Sequence, residues 1–139
     1  MAFLGKTLIC AAMGLLFAAY ANFAPTALQS PLIADYIKNH FVREIVFGLA
    51  LAAWTISSTL SANSQRDVLA IVIAGSIVVV PFWVATTLGW TTGGLADVWG
   101  DSIDDKDAYA LHTSQVVLFA LGLVLLTKGI DKQNSPSST

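Results

Sequence analysis

Tyr109–Thr127 reads YALHTSQVVLFALGLVLLT, nineteen residues in which His112 is the only side chain that titrates near neutrality. A helix needs roughly 20 predominantly apolar residues to cross the hydrocarbon of a bilayer, and this stretch is of that length. Three more of the kind precede it. Thr7–Phe23 follows Lys6 and is closed by Pro25; Val42–Leu60 carries Arg43 and Glu44 in its opening turn; Val68–Trp90 has Pro81 near its middle. In lipid every backbone polar group must be satisfied internally, which leaves helices or a closed barrel, and these runs lack the alternation of barrel strands. The sequence therefore predicts an all-α integral membrane protein, an antiparallel four-helix bundle over residues 1–130. Pro81 is expected to kink the third helix, because proline removes a backbone donor and clashes with the turn before it. The polar, Ser-rich tail 131–139 is expected to be disordered.

Composition supports the same class. Of 139 residues, 55% are hydrophobic and 12% charged, with a mean hydropathy of +0.70. A soluble domain this small has much surface for its core and needs more charge to cover it. The net charge is −2 and no basic run occurs, so nucleic-acid binding has no electrostatic basis. The single cysteine, Cys10, lies inside the first apolar run and forms no internal disulfide. Lys6, the apolar run and Ala19-Tyr20-Ala21 also fit a secretory signal with a small-residue cleavage site. Cleavage would leave an odd three-helix remnant, and a retained helix is the preferred reading.

Four spans would put the N-terminus, the turn Ser61–Asp67 and the tail on one side. That side holds Lys6, Arg66, Lys128 and Lys132 against Asp67 and Asp131, a net of +2. The opposite side holds Lys38, Arg43 and Lys106 against seven carboxylates, Asp35, Glu44, Asp97, Asp101, Asp104, Asp105 and Asp107. The positive-inside rule counts Lys and Arg and so places both termini in the cytoplasm, of an internal membrane such as the endoplasmic reticulum if the source is eukaryotic.

Ionisable groups sunk into a membrane helix are expensive and are functional hypotheses by default. Arg43, Glu44 and His112 are of this kind, and all three belong to the acidic side, where Tyr20, Asn22, Thr86 and Thr87 should also end. Each has a plainer reading: Arg43 and Glu44 as interfacial residues snorkelling to headgroups, His112 as a packed histidine. Adjacent residues point about 100° apart on a helix, so at most one of Arg43 and Glu44 can face a bundle centre squarely. Asp101, Asp104, Asp105 and Asp107 read as a solvated acidic cap, with Asp-Lys-Asp in the first turn of helix four. Asp97, in the apolar and glycine-flanked Gly93–Gly100, could fold back into the mouth.

A carboxylate, an imidazole and a guanidinium at an apolar mouth can perform acid–base chemistry. Asp97 or Glu44 would act as general base, His112 as proton donor or shuttle and Arg43 as stabiliser of an oxygen anion. Epoxide opening, cyclisation and double-bond isomerisation of a lipophilic substrate need nothing more. No metal or cofactor is called for: no H-E-x-x-H, Cys/His cluster, G-x-S-x-G or Walker loop occurs.

The stretch Phe41-Val42-Arg43-Glu44-Ile45-Val46-Phe47-Gly48-Leu49 resembles the Arg-acid-x-x-x-Gly-Leu opening of helix two in small DoxX-like four-helix membrane proteins. Ala108-Tyr109-Ala110-Leu111-His112, followed by Val116–Leu126, is similar to their histidine-bearing last helix, with Asp97 where an acid often precedes it. The resemblance runs from about Phe23 to Leu126. It implies a compact four-helix bundle, of a type found in fungal gene clusters for polyketides and terpenoids, where some members are assigned as hydrolases or cyclases. An anthrone-oxygenase-like monooxygenase is an alternative, but the tryptophan, histidine and arginine arrangement associated with that type near the last helix is missing. A non-enzymatic accessory subunit or small transporter component is the competing class. Transport would use polar groups at the midplane, and Thr55, Ser57, Ser58 and Ser76 are few.

Overall fold

The computed structural model describes residues 1–29, 31, 34–88 and 105–134. All secondary structure among them is α-helical: α1 (Ala2–Gln29), α2 (Asp35–Ser61), α3 (Gln65–Val79), α4 (Pro81–Thr87) and α5 (Asp105–Asn134). Three carry windows long and apolar enough to cross a membrane, Ala2–Asn22, Lys38–Ser61 and Lys106–Asn134. The pair α3 and α4 passes the same test together, bent by 44° between them, so up to four spans are present by length and composition.

The bend lies where the sequence predicts it. Pro81 occupies the first turn of α4 and has no N–H to donate. Val80 keeps helical dihedrals and still donates to the Ser76 carbonyl at 2.9 Å, so the axis turns without the chain leaving the helical region.

The helices extend beyond their apolar windows. α1 was expected to close at Pro25 but runs on to Gln29, carried by the good helix formers Ala24, Ala27, Leu28 and Gln29. α2 begins at Asp35, seven residues before Val42, where the Asp35 carboxylate complements the helix dipole and lies 3.8 Å from Lys38. The connection expected over Ala24–His40 is thus largely helical. α5 opens on Asp105-Lys106-Asp107 as expected and continues to Asn134, so residues 131–134 of the expected tail are helix.

α1 packs against α2 and α5, α2 against α3, and α3 against α5. Contacts at one end give the directions. Lys6 Nζ near the start of α1 donates to the Leu60 carbonyl at the end of α2, at 2.7 Å. Gln65 Nε2 at the start of α3 donates to Asp131 Oδ1 near the end of α5, at 2.6 Å. Each pair is therefore antiparallel. At the same end Ser64 and Asp67 form a capping box on α3: Ser64 Oγ accepts from the Asp67 N–H at 3.3 Å, and Asp67 Oδ2 accepts from the Ser64 N–H at 2.9 Å.

The α1–α5 contact is close enough to exclude side chains. A Cβ on Gly5 would meet the Leu126 backbone and lie 2.7 Å from the Gly122 carbonyl oxygen; one on Gly122 would lie 2.7 Å from Ile9 Cγ1. Small residues at such crossings let backbones approach and gain dispersion contacts, which drive helix association where lipid removes the hydrophobic term. Ile9, Met13, Ile71, Leu126 and Ile130 fill the core behind them. The outer surface is just as apolar: Phe47, Trp54, Leu69, Ile73, Val84 and Leu121 are each at least half exposed, and only 11% of the α2 window is buried. An apolar surface of that extent is foreign to a water-soluble monomer.

Candidate functional site

At the end opposite Lys6 and Asp131, the bend at Pro81 lays α4 against the first turns of α5. Phe82 stacks on His112, ring centroids 3.8 Å apart and planes 16° from parallel. Phe82 also meets Tyr109 edge-on at 5.6 Å, and Trp83 lies 6.0 Å from Tyr109. Tyr109, His112 and Gln115 follow one another at intervals of three residues, which keeps them along one side of the helix. His112 sits about 10 Å along the axis from Asp105, at 1.5 Å per residue.

Gln115 is the deepest polar group here, 1% exposed. Its Oε1 lies 3.3 Å from His112 Nδ1. An amide oxygen only accepts, so in this arrangement Nδ1 carries the proton and the lone pair of the neutral ring lies on Nε2. Gln115 Nε2 and Trp83 Nε1 are both buried donors without an acceptor among the described residues. Leaving a buried donor unpaired costs about 1–3 kcal/mol, a cost that Gln115 and Trp83 each carry in this packing.

The sequence expects Arg43, Glu44, Asp97 and His112 to act together at one mouth. Arg43 and Glu44 are exposed on α2. With His40, Val46, Phe47 and Ala50 they line an open groove of about 730 Å³. No hydrogen bond or ion pair joins Arg43 or Glu44 to His112 among the described residues. Glu44 lies on the α2 face that carries Gly48, four residues on, over which the Tyr20 hydroxyl from α1 rests, 3.5 Å from where a Cβ would stand. Asp97 lies outside the described residues, as do Asp101 and Asp104. The other polar groups of this end hydrogen-bond within their own helices: Asn22 Nδ2 donates to Ala18 O, Thr86 Oγ1 to Phe82 O and Thr87 Oγ1 to Trp83 O.

No protein-family model, curated protein or solved structure matches the chain. The site is therefore read from its own chemistry. Among the described residues no group of three His, Cys, Asp or Glu side chains could hold a metal ion. Sequence reasoning missed Phe82, Trp83, Tyr109 and Gln115. The available signal was Gln115 itself, an amide in an apolar run three residues after the histidine.

Proposed function

We propose that the chain is a multi-pass membrane protein, a four-helix bundle in which α3 and α4 form one bent span, and that it catalyses an acid–base reaction on a lipophilic small molecule at His112. The observation that carries this reading is the placement of His112: half-buried, stacked on Phe82, with Nδ1 3.3 Å from Gln115 Oε1, a contact that is a hydrogen bond in the tautomer whose basic nitrogen is Nε2. A fixed tautomer beside unpaired N–H donors is the equipment of a general base next to an oxygen-binding position.

In this reading His112 Nε2 takes a proton from water or a substrate hydroxyl as that oxygen attacks an epoxide carbon, and returns it as imidazolium to the epoxide oxygen freed when the C–O bond breaks. In a double-bond isomerisation it takes a proton from one carbon and returns it to another. Trp83 Nε1 and Gln115 Nε2 supply hydrogen bonds to the substrate oxygen. Arg43 and Glu44 enter no step, since they line the groove on α2. Transport finds little support, because the buried hydroxyls of Thr55 and Thr59 donate to the carbonyls of Leu51 and Thr55, at 2.8 and 2.7 Å, and so offer no free polar path.

The test is a comparison of lipophilic extracts from the native host with and without the gene. Accumulation of an unopened epoxide, an uncyclised precursor or an unshifted isomer in the deletion strain is expected. An unchanged lipophilic profile with loss of a membrane complex would establish an accessory subunit instead.

A further inference from the structure

The groove on α2 has a polar end and an apolar end. His40, Arg43 and Glu44 form the first, Val46, Phe47 and Ala50 the second. From His40 to Ala50 the helix advances about 15 Å, at 1.5 Å per residue, which is the length of a headgroup followed by the upper part of an acyl chain.

Among the described residues the charges of Arg43 and Glu44 are unmet. Arg43 and Glu44 are neighbours in sequence but splay apart on the helix, and no ion pair joins them to each other or to another described group. The nearby Lys38 lies against Asp35 at 3.8 Å. Glu44 has the neutral Tyr20 as its electrostatic neighbour, which offers it no countercharge. A cation and an anion on adjacent residues of one groove, both exposed and, among the described residues, both unpaired, complement a zwitterion. An anionic headgroup would satisfy Arg43 and be repelled by Glu44; a purely cationic one would do the reverse.

We infer that this groove is a binding site for a phospholipid whose headgroup carries both a phosphate and a primary ammonium, with the phosphate on Arg43 and His40 and the ammonium on Glu44. A guanidinium grips phosphate oxygens through paired N–H donors. A primary ammonium donates hydrogen bonds to a carboxylate, whereas a quaternary one has no N–H to give. The acyl chain then lies along Val46, Phe47 and Ala50. The inference rests on the membrane reading of α2 and is independent of the chemistry at His112.

The experiment is a lipid titration of the purified full chain in detergent, followed by native mass spectrometry. Dioleoyl phosphatidylethanolamine, phosphatidylcholine and phosphatidylglycerol are the probes, with wild type, Arg43→Gln and Glu44→Gln compared. Phosphatidylethanolamine should bind about fivefold more tightly than phosphatidylcholine, and phosphatidylglycerol more weakly than either. Glu44→Gln should abolish the preference of ethanolamine over choline, and Arg43→Gln should weaken both. Equal binding of the three lipids, a preference for phosphatidylglycerol, or an ethanolamine preference that survives Glu44→Gln would overturn the assignment. Extraction of the wild-type chain from membranes by alkaline carbonate would instead refute the membrane reading itself. Both side chains are exposed, so the variants should keep the helical circular dichroism of the wild type.

Discussion

His112 was legible in the sequence because an ionisable side chain inside an apolar span is conspicuous by cost alone. Its partners were not. Phe82, Trp83 and Tyr109 look like ordinary apolar filling, and their meeting with His112 depends on the bend that brings α4 to α5. His112→Ala should lower turnover by about 10²–10⁴-fold, the range of a positioned general acid–base group, with unchanged amounts of protein in the membrane. Gln115→Leu separates stability from function. It removes a buried donor without an acceptor but also the acceptor of His112 Nδ1, two effects of opposite sign and similar size, so thermal stability in detergent should change little, while activity should fall because the His112 tautomer is no longer fixed. A variant that loses stability and keeps full activity would show that Gln115 serves packing only. The Arg43–Glu44 pair was visible in sequence as well, but their directions were not: a helix period says that two neighbours diverge, and only the packing of α1 on Gly48 shows that Glu44 is the one on the α1 side.

At the level of elements, the apolar runs and Pro81 located the long apolar helices and the bend. Helix ends were less legible, because an apolar run marks where a helix is apolar and not where it stops. α1, α2 and α5 each continue into polar sequence, where hydrogen bonding within the helix needs no lipid. The α1–α5 crossing was also hidden, since Gly5 and Gly122 lie on different helices and form no local motif. Gly122→Leu should lower the melting temperature in detergent sharply, for its side chain would enter Ile9 and the Gly5 carbonyl. Gly14→Ala should be tolerated, as a Cβ there meets nothing within 4 Å. Equal stability of the two variants would contradict the close crossing. Ser64→Ala removes one side of the capping box on α3 and should destabilise by about 0.5–2 kcal/mol, read as a fall in the same melting temperature.

For the whole molecule the asymmetry of charge is the governing feature. Lys6, Arg66, Lys128 and Lys132 belong to one end, and the contacts of Lys6 with Leu60 and of Gln65 with Asp131 place the start of α1, the start of α3 and the end of α5 together there. Tags at the N- and C-termini should therefore be protected by the same side of a sealed vesicle, the cytoplasmic one. Tags found on opposite sides would mean that α3 and α4 do not make one span. The aromatic cluster, the acidic opening of α5 and the α2 groove all belong to the other end, which is why catalysis and lipid recognition are both assigned there. The most direct test of the catalytic account uses the compound that accumulates when the gene is deleted. Presented to the purified chain in lipid nanodiscs, it should be consumed by wild type and at least about 100-fold more slowly by His112→Ala. Equal rates in the two proteins, or no turnover by wild type, would contradict it.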